Sequence, residues 1–434
     1  MYAAPRLPVA ILLGGAVALV LPGRIWADLA GTTLLVLGLL AFDVVAAPAP
    51  GALQVTREAP RSATVGQAAT VALRLHNPRG RRLRVGAHDA APPSLHRSPT
   101  RHALTLLPWA WADLPATLTP TRRGRLPLGP ITLRVAGPLG LGGRQATLPS
   151  VQVLAVYPPL HGRREVELRL ERARTLQAGR RSSAFRGGGT EFDTIRAYRP
   201  DDAFGHINWR ATARSPRAMA NVYREERDQR VVLLLDAGRS MAGSVRGVAR
   251  FEHALDGAIA VAELAGRVGD HVGMVAFDSR VLAALDPKGG RAQSRRILEV
   301  LLDLHASLEP PGYAAALSAF LTRHGRRSLL VLLTDLAHPA LLEPLASVAP
   351  TLLRRHLLIV GAVSDPELEE LAQAMPDSSE TAYLKAAASG ALADRHRAAA
   401  VLGRLGVRVV DRPPGRLAGA LADQYLRIKA SGRL

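Results

Sequence analysis

The stretch Val231-Val232-Leu233-Leu234-Leu235-Asp236-Ala237-Gly238-Arg239-Ser240-Met241 (VVLLLDAGRSM) decides how the C-terminal half of the chain is read. Five apolar residues run into an aspartate and a small polar loop, the pattern of a buried strand that ends at a site. Further apolar runs at 272–277, 328–333, 356–363 and 407–410 alternate with helical periodicity over 251–268, 292–305, 313–323, 340–346 and 415–428. Near-continuous aliphatic strands separated by helices predict a mostly parallel sheet covered on both faces. In such sheets a site lies beyond the carboxyl ends of the strands. Asp236 ends the first strand, Asp278 follows the second, and Thr334-Asp335 ends a later one.

The loop admits three readings: a metal site, an elbow carrying a nucleophilic serine, or a retained shape without chemistry. Gly238-Arg239-Ser240-Met241-Ala242 approximates the Gly-x-Ser-x-Gly elbow. A triad built on Ser240 needs an acid and then a histidine further along. The available set is Asp335 with His338 or His356. His338 follows Asp335 too closely, and His356 opens a strand, where a structural role is common. A serine hydrolase therefore ranks below a binding module.

Outward from this domain, 434 residues suffice for two or three cores. The formal charge of +20 would suggest nucleic acid or anionic lipid if it were clustered, yet only Lys288, Lys385 and Lys429 among 56 basic residues are lysines. Arginine, alanine, glycine and proline rise together, as a coding bias would produce. No aromatic-interleaved basic stripe offers a stacking platform, so no specific nucleic-acid partner is expected. The absence of cysteine excludes disulfides, thiolate nucleophiles and zinc–thiolate sites.

Residues 7–21 are apolar, Pro22-Gly23-Arg24 interrupts, and a second apolar run covers 29–47 with Asp43 near its end. The spacing predicts a transmembrane hairpin, its first span short enough for Arg6 and Arg24 to snorkel. A second run so soon after the first argues against a cleaved signal peptide. Arg6, Arg57 and Arg61 outnumber Arg24, which places the bulk of the chain in the cytoplasm by the positive-inside rule. Asp43 is expected at the membrane interface.

Between 53 and 157 the pattern shortens and alternates, as at 69–75, 131–135 and 151–156, with turn chemistry at 77–80, 123–124 and 137–140. This predicts a β-sandwich of immunoglobulin-like size, in which Trp109 and Trp111 serve core or turn packing rather than recognition. Residues 160–183 read as a charged linker. The glycines at 187–189 neither follow a strand nor end in Lys-Ser/Thr, which excludes a phosphate loop. Arginines and acids beside Phe192, Tyr198 and Trp209 read as an extended segment pinned by charge-assisted hydrogen bonds and aromatic packing.

The order of strand, Asp-x-x-x-Ser-Met, helix, VGMVAFDS (272–279) and VLLTD (331–335) resembles a von Willebrand factor A domain. GGGTEFDTIRAYRPDDAFGHINWRATAR (187–214) resembles the segment that the prokaryotic domain-of-unknown-function-58 family carries before such a domain. Its motif positions here are Gly189, Glu191, Phe192, Arg196, Tyr198, Asp202, Ile207, Trp209 and Arg214. TPTRRGRLPLGPITLRVAGPLGL (119–141) resembles that family's upstream β region. The resemblance implies work beside a MoxR-type AAA+ ATPase in assembling or maturing other proteins, and no enzymatic activity of its own.

It also implies a metal-ion-dependent adhesion site reading Asp-x-Ser-x-Ser, completed by a threonine from a second loop and an aspartate from a third. Oxygen donors of this kind suit Mg2+. Asp236, Ser240 and Asp335 are present, Gly238 replaces the first serine, and the second loop (309–313) has no threonine. A weak or absent metal follows, unless Asp278 or Glu309 substitutes. The expected molecule is multidomain: two transmembrane helices (1–48), a β-sandwich (49–158), a charged linker with the motif segment (159–229) and an α/β von Willebrand factor A-like domain (230–434). It is read as a scaffold in the prokaryotic inner membrane, binding protein through Asp236, Gly238, Ser240, Thr334 and Asp335, with the lipid bilayer as its other partner.

Overall fold

The computed structural model describes residues 2–4, 6–20, 25–158, 191–200, 202, 204–224, 229–323, 325–336 and 341–431, the side chains of 191–193, 223 and 224 excepted. The chain divides into two compact units, Met1–Pro159 and Leu160–Leu434.

The first unit opens with strand β1 (Tyr2–Ala3) and two helices that pack on each other, α1 (Leu7–Val20) and α2 (Ile25–Ala46). At 14 residues α1 falls short of the roughly 20 that a perpendicular span needs. The stretch Ile25–Ala52 is long and apolar enough to cross a membrane, with mean hydropathy 2.1 and only 11% of its window buried. Eleven strands follow: β2 (Gln54–Glu58), β3 (Ser62–Thr64), β4 (Ala69–His76), β5 (Leu83–Asp89), β6 (Leu95–Ser98), β7 (Arg101–Leu106), β8 (Trp111–Pro120), β9 (Gly124–Leu128), β10 (Ile131–Ala136), β11 (Gly142–Leu148) and β12 (Gln152–Tyr157). They form sheets β2-β4-β8-β6, β1-β11-β10-β5-β7 and β3-β12-β9.

Alternation places Val71, Leu73 and Leu75 of β4 inward. Leu73 and Leu75 share a core with Val85 and Leu133 of the five-stranded sheet, while Val71 joins Leu126 and Leu154 of the three-stranded one. Asp89 is buried between Arg57 and Arg97, which hold both its oxygens. Trp109 and Trp111 stand outside the core, 65% and 56% exposed. Trp111 stacks on His76 at 4.3 Å, and Trp109 occupies the turn into β8. Core packing, one of the two roles expected for these tryptophans, is thus not what Trp111 does: it stands on the outward face of its strand.

Asp43, expected at the membrane interface, is fully buried against the turn between β10 and β11, close to the end of α2. Its Oδ1 accepts the N–H of Leu139 at 2.7 Å, and its Oδ2 accepts those of Leu141 and Gly142 at 2.7 and 2.9 Å. The glycines of this turn permit the approach. A Cβ on Gly142 would lie 2.6 Å from Leu40 and 2.8 Å from Val44.

The second unit begins with a hairpin of β13 (Glu191–Ala197) and β14 (Met219–Arg224), its connection carrying the short helix α3 (Trp209–Thr212). Then come β15 (Arg230–Asp236), α4 (Arg239–Ala242), a small ribbon of β16 (Ser244–Val245) and β17 (Val248–Ala249), α5 (Arg250–Val268), β18 (His271–Phe277), β19 (Val281–Lys288), α6 (Arg291–Asp303) and α7 (Tyr313–Arg323). The rest is β20 (Leu329–Leu333), α8 (Leu342–Leu353), β21 (Leu357–Val363), α9 (Pro366–Gln373), α10 (Ser379–Arg404), β22 (Arg408–Arg412) and α11 (Leu417–Ala430).

These build a mixed sheet of order β19-β18-β15-β20-β21-β22, parallel except for the antiparallel edge strand β19. Val231, Leu233 and Leu235 face a core with α5 and α11, whereas Val232 and Leu234 face one with α7 and α8. Both faces are thus covered, as the unbroken apolar strand requires. Four elements depart from the sequence reading. Strand β19, an edge strand that is at most half-buried, is not among the strands expected from sequence, although it opens with the apolar run 281–285. Helix α8 runs on to Leu353, past the Ala346 expected from sequence and with Pro350 inside it. Helix α9 is short and buries no residue, and α10 lacks a strong apolar stripe: over its first half α10 buries only Ala388, and it packs against α9.

Candidate functional site

Strand β15 delivers Asp236 to the carboxyl edge of the sheet with no exposed surface. Its Oδ1 accepts the Gly238 N–H at 2.8 Å, and its Oδ2 accepts the hydroxyls of Tyr313 at 2.9 Å and Thr334 at 2.7 Å. The two hydroxyls are 2.8 Å apart. Tyr313 opens α7 and Thr334 follows β20, so three chain segments close on one carboxylate. Burial, reinforced by the charge of Asp236, pushes the Tyr313 phenol far above its ordinary range and keeps it a proton donor at any physiological pH.

The loop from 307 to 311 is fastened over this cluster. Glu309 and Leu308 carbonyls accept the Arg239 backbone N–H at 2.8 Å and its Nε at 2.9 Å, and the Ser307 N–H donates to Ala237 O at 2.7 Å. A Cβ on Gly238 would stand 3.0 Å from Glu309 O and 3.1 Å from both Asp236 Oδ1 and Pro311 Cβ. The serine of the metal-site pattern would be crowded there, which explains the glycine. Asp278 is engaged too: it accepts the Ser307 hydroxyl at 3.1 Å and the Arg280 N–H at 3.1 Å. Glu309 contributes its backbone, with the residue exposed.

Asp335, near enough for its charge to act on Tyr313, is held by a different partner. Its Oδ1 accepts Arg395 Nη1 at 2.9 Å, and the remaining edge of the same guanidinium grips Asp411 through two bonds of 2.6 Å. Arg395 is 6% exposed, so two carboxylates share one buried cation. Ser240, in the first turn of α4, has a buried hydroxyl with no hydrogen-bond partner among the described residues. The structure therefore brings Asp236 and Thr334 together, leaves Ser240 beside them, and sends Asp335 to an arginine.

This donor set does not fit a magnesium ion, which needs oxygen lone pairs turned to a common centre. Asp236 spends both oxygens on protein donors, Tyr313 fills the interior of the cluster, and Asp335 already faces a cation. Among the described residues no group of three or more His, Asp or Glu is arranged to hold a metal. The hydrolase constellation is not assembled either. His356 precedes β21 and so lies at the amino end of a parallel strand, edge-on to Phe320 at 5.1 Å, opposite the edge that carries Ser240. His338 lies outside the described residues.

Residues 194–397 match the family model described as Protein of unknown function DUF58. The match supports that family for this chain, and the matched stretch contains Asp236, Ser240, Tyr313, Thr334, Asp335 and Arg395. No curated protein matches the chain. Among solved structures it is similar to the CARDB domain of a Pyrococcus furiosus protein in complex with di-metal ions, at 18% identity over 24% of this chain and 86% of that one. With a TM-score of 0.17, that likeness carries no weight for the fold or for metal binding by this chain.

The DUF58 stretch begins inside the β13–β14 hairpin, where the motif residues meet. Arg196 holds Asp202 through bonds of 2.8 and 2.6 Å, the Arg199 N–H adds a third at 2.9 Å, and the Tyr198 hydroxyl donates to the Asp202 carbonyl at 3.1 Å. The hydrogen bond from Arg196 is the main reason the Asp202 carboxyl titrates below its usual range. Ile207 bridges to Ala220, and Asn208 caps α3 through the Ala211 N–H at 2.9 Å. The charge-assisted pinning expected from sequence is present. The aromatic packing is superficial, since Trp209 meets Phe204 edge-on at 5.9 Å with both largely exposed. Arg214 is also exposed. Gly189 and the side chains of Glu191 and Phe192 lie outside the described residues.

Sequence reasoning missed the roles of Tyr313 and Arg395. A hydroxyl at the start of the helix after the second loop was the available signal for Tyr313, had a phenol been admitted where a threonine was sought. Arg395 gave none, because it lies on a helix with no apolar stripe to announce it.

Proposed function

We propose that the chain is a membrane-anchored protein-binding scaffold that works beside a MoxR-type AAA+ ATPase in assembling or maturing other proteins. On this reading α1 and α2 form a transmembrane hairpin, and the mixed-sheet domain is von Willebrand factor A-like and cytoplasmic. Recognition uses the carboxyl edge of the sheet without a metal. The observation that carries it is the closure of the Asp236 cluster: the loops that would present an ion are instead locked into a fixed shape by Gly238, Tyr313 and Thr334. Two apolar features on that side support contact with protein. Leu308, on the locked loop, is 75% exposed, and the α9–α10 hairpin that leaves the end of β21 exposes Met375 and Tyr383.

The test is affinity purification of the detergent-solubilised full-length protein from its own cells. Recovery of an AAA+ ATPase with the native chain, and its loss with the surface variant Leu308→Glu, is the expected result. Equal recovery with both chains would remove the edge from the interface, and no ATPase with either would remove the adaptor role.

A further inference from the structure

The end of the β unit that surrounds the base of α2 combines features the scaffold reading does not use. Arg81 Nη2 donates to the carbonyl of Ala46, the last residue of α2, at 2.9 Å. This bond fixes the level of the 77–82 turn at the end of the apolar helix. On the other side of the same base, Arg84 donates to Pro138 O at 3.2 Å, and the Arg6 side chain, just before α1, lies beside Gly140. Arg79 and Arg82 flank them. All five arginines are exposed, and Asp43, the acidic group at this junction, is buried and satisfied by backbone N–H groups. The rim around the helix base is therefore strongly cationic.

The same rim carries exposed apolar side chains. Leu107 is 51%, Trp109 65% and Leu139 41% exposed. Leu107 is tied to the 77–82 turn, because Asn77 Nδ2 donates to both Leu107 O and Arg81 O at 2.9 Å. Trp109 lies against Gly80 and holds φ at 58°, a left-handed conformation that is costly for a bulky residue and marks an imposed position. Leu139 sits in the turn that Asp43 draws alongside Leu40 and Val44 of α2. At the far end of α2, Trp26 is 82% exposed. The helical rise from Trp26 to Ala46 is about 30 Å, one hydrocarbon thickness, so the tryptophans mark two levels that far apart.

We infer that this rim is a bilayer-docking surface: Arg6, Arg79, Arg81, Arg82 and Arg84 take anionic phospholipid headgroups while Leu107, Trp109 and Leu139 enter the interfacial layer. The inference rests on the membrane-anchoring reading of α1 and α2 and adds to it that the β unit lies against the bilayer rather than hanging from a tether. Continuity with the apolar helix and the sign of the charge both select anionic lipid as the occupant.

The absence of cysteine allows a direct test on the full-length chain. Single variants Leu107→Cys and Leu139→Cys, with Val153→Cys as an exposed reference on β12, are labelled with an environment-sensitive fluorophore and placed in nanodiscs of phosphatidylcholine with or without phosphatidylglycerol. The expected result is blue-shifted emission at 107 and 139, quenched by nitroxide lipid and deepened by phosphatidylglycerol, with no shift at 153. Arg79→Glu with Arg82→Glu, two exposed positions whose substitution spares the fold, should abolish the response to phosphatidylglycerol. Protein held in the discs with labels at 107 and 139 as wet as at 153, or a response indifferent to the two arginines, would overturn the docking surface. A chain that remains outside the discs would overturn the anchoring reading itself.

Discussion

Asp43 and Asp236 look alike in sequence and differ in structure. Each comes at the end of a long apolar run, each is fully buried, and each has both oxygens occupied. Asp43 is held by three backbone N–H groups of a glycine-rich turn, Asp236 by one backbone N–H and two side-chain hydroxyls. Backbone donors have a fixed sense, whereas hydroxyls rotate and also accept. The first arrangement is a joint that tolerates only a carboxylate. The second is a self-satisfied polar cluster that keeps a loop shape, with each carboxylate oxygen already engaged by a protein donor.

Asp335 supplies a third way to satisfy a buried carboxylate, with a cation, and its disruption should have the largest effect. Arg395→Met removes the cation that bridges Asp335 and Asp411. About 3 kcal/mol of stability should be lost, the low end for a broken buried pair because the Asp411 side chain is 24% exposed. Denaturant unfolding of the variant checks this, and a loss below roughly 1 kcal/mol, the range of surface pairs, would show that water replaces the arginine.

The comparison between the two aspartates is sharpened by the same substitution at each. In Asp43→Asn the amide nitrogen must face at least one backbone donor whichever way it turns, which should cost about 2 kcal/mol. In Asp236→Asn the oxygen keeps the Gly238 N–H, and the amide donates to Tyr313 and Thr334, whose hydroxyls rotate to accept. The cost should stay below about 1 kcal/mol. Equal losses at the two positions in thermal unfolding would break the distinction, and a stabilisation of native protein by Mg2+ that Asp236→Asn abolishes would restore the metal reading.

The contrast also explains what the sequence could disclose. The aliphatic runs announced β15, β18, β20 and β21 because a strand buried on both faces must be apolar throughout, and Asp236 was visible because it interrupts such a run. The partners of Asp43 were not legible: they are backbone groups 96 to 99 residues away, and a backbone N–H has no letter in the sequence. Glycines at 137 and 140 read as turn chemistry, but nothing in the sequence marked Gly142, which is required by the helix that rests on it. Helix α10 escaped notice for a related reason. Its first half is mostly solvent-facing and alanine-rich, so it carries no periodicity, yet it leads to Arg395.

The smallest expected effect concerns pH, and it asks whether the Asp236 cluster or its surroundings respond to protons. His253, on α5, packs beneath the β16–β17 ribbon that follows α4, and burial lowers its pKa below the ordinary 6.5, offset in part by a hydrogen bond to the Val245 backbone. The sign follows from linkage: the unfolded chain takes up a proton near pH 6.5 and the folded chain only at lower pH. Stability is then fully present above about 6.5 and declines as the pH falls toward the folded value. His253→Gln should flatten the fall of the unfolding midpoint below about pH 6.5 while leaving it little changed at pH 8. Asp236→Asn should leave that slope in place, because the hydroxyls around Asp236 carry no charge in this range. A slope removed by Asp236→Asn instead would mean that the cluster itself takes up the proton, and the rigidity assigned to the recognition edge would then depend on pH.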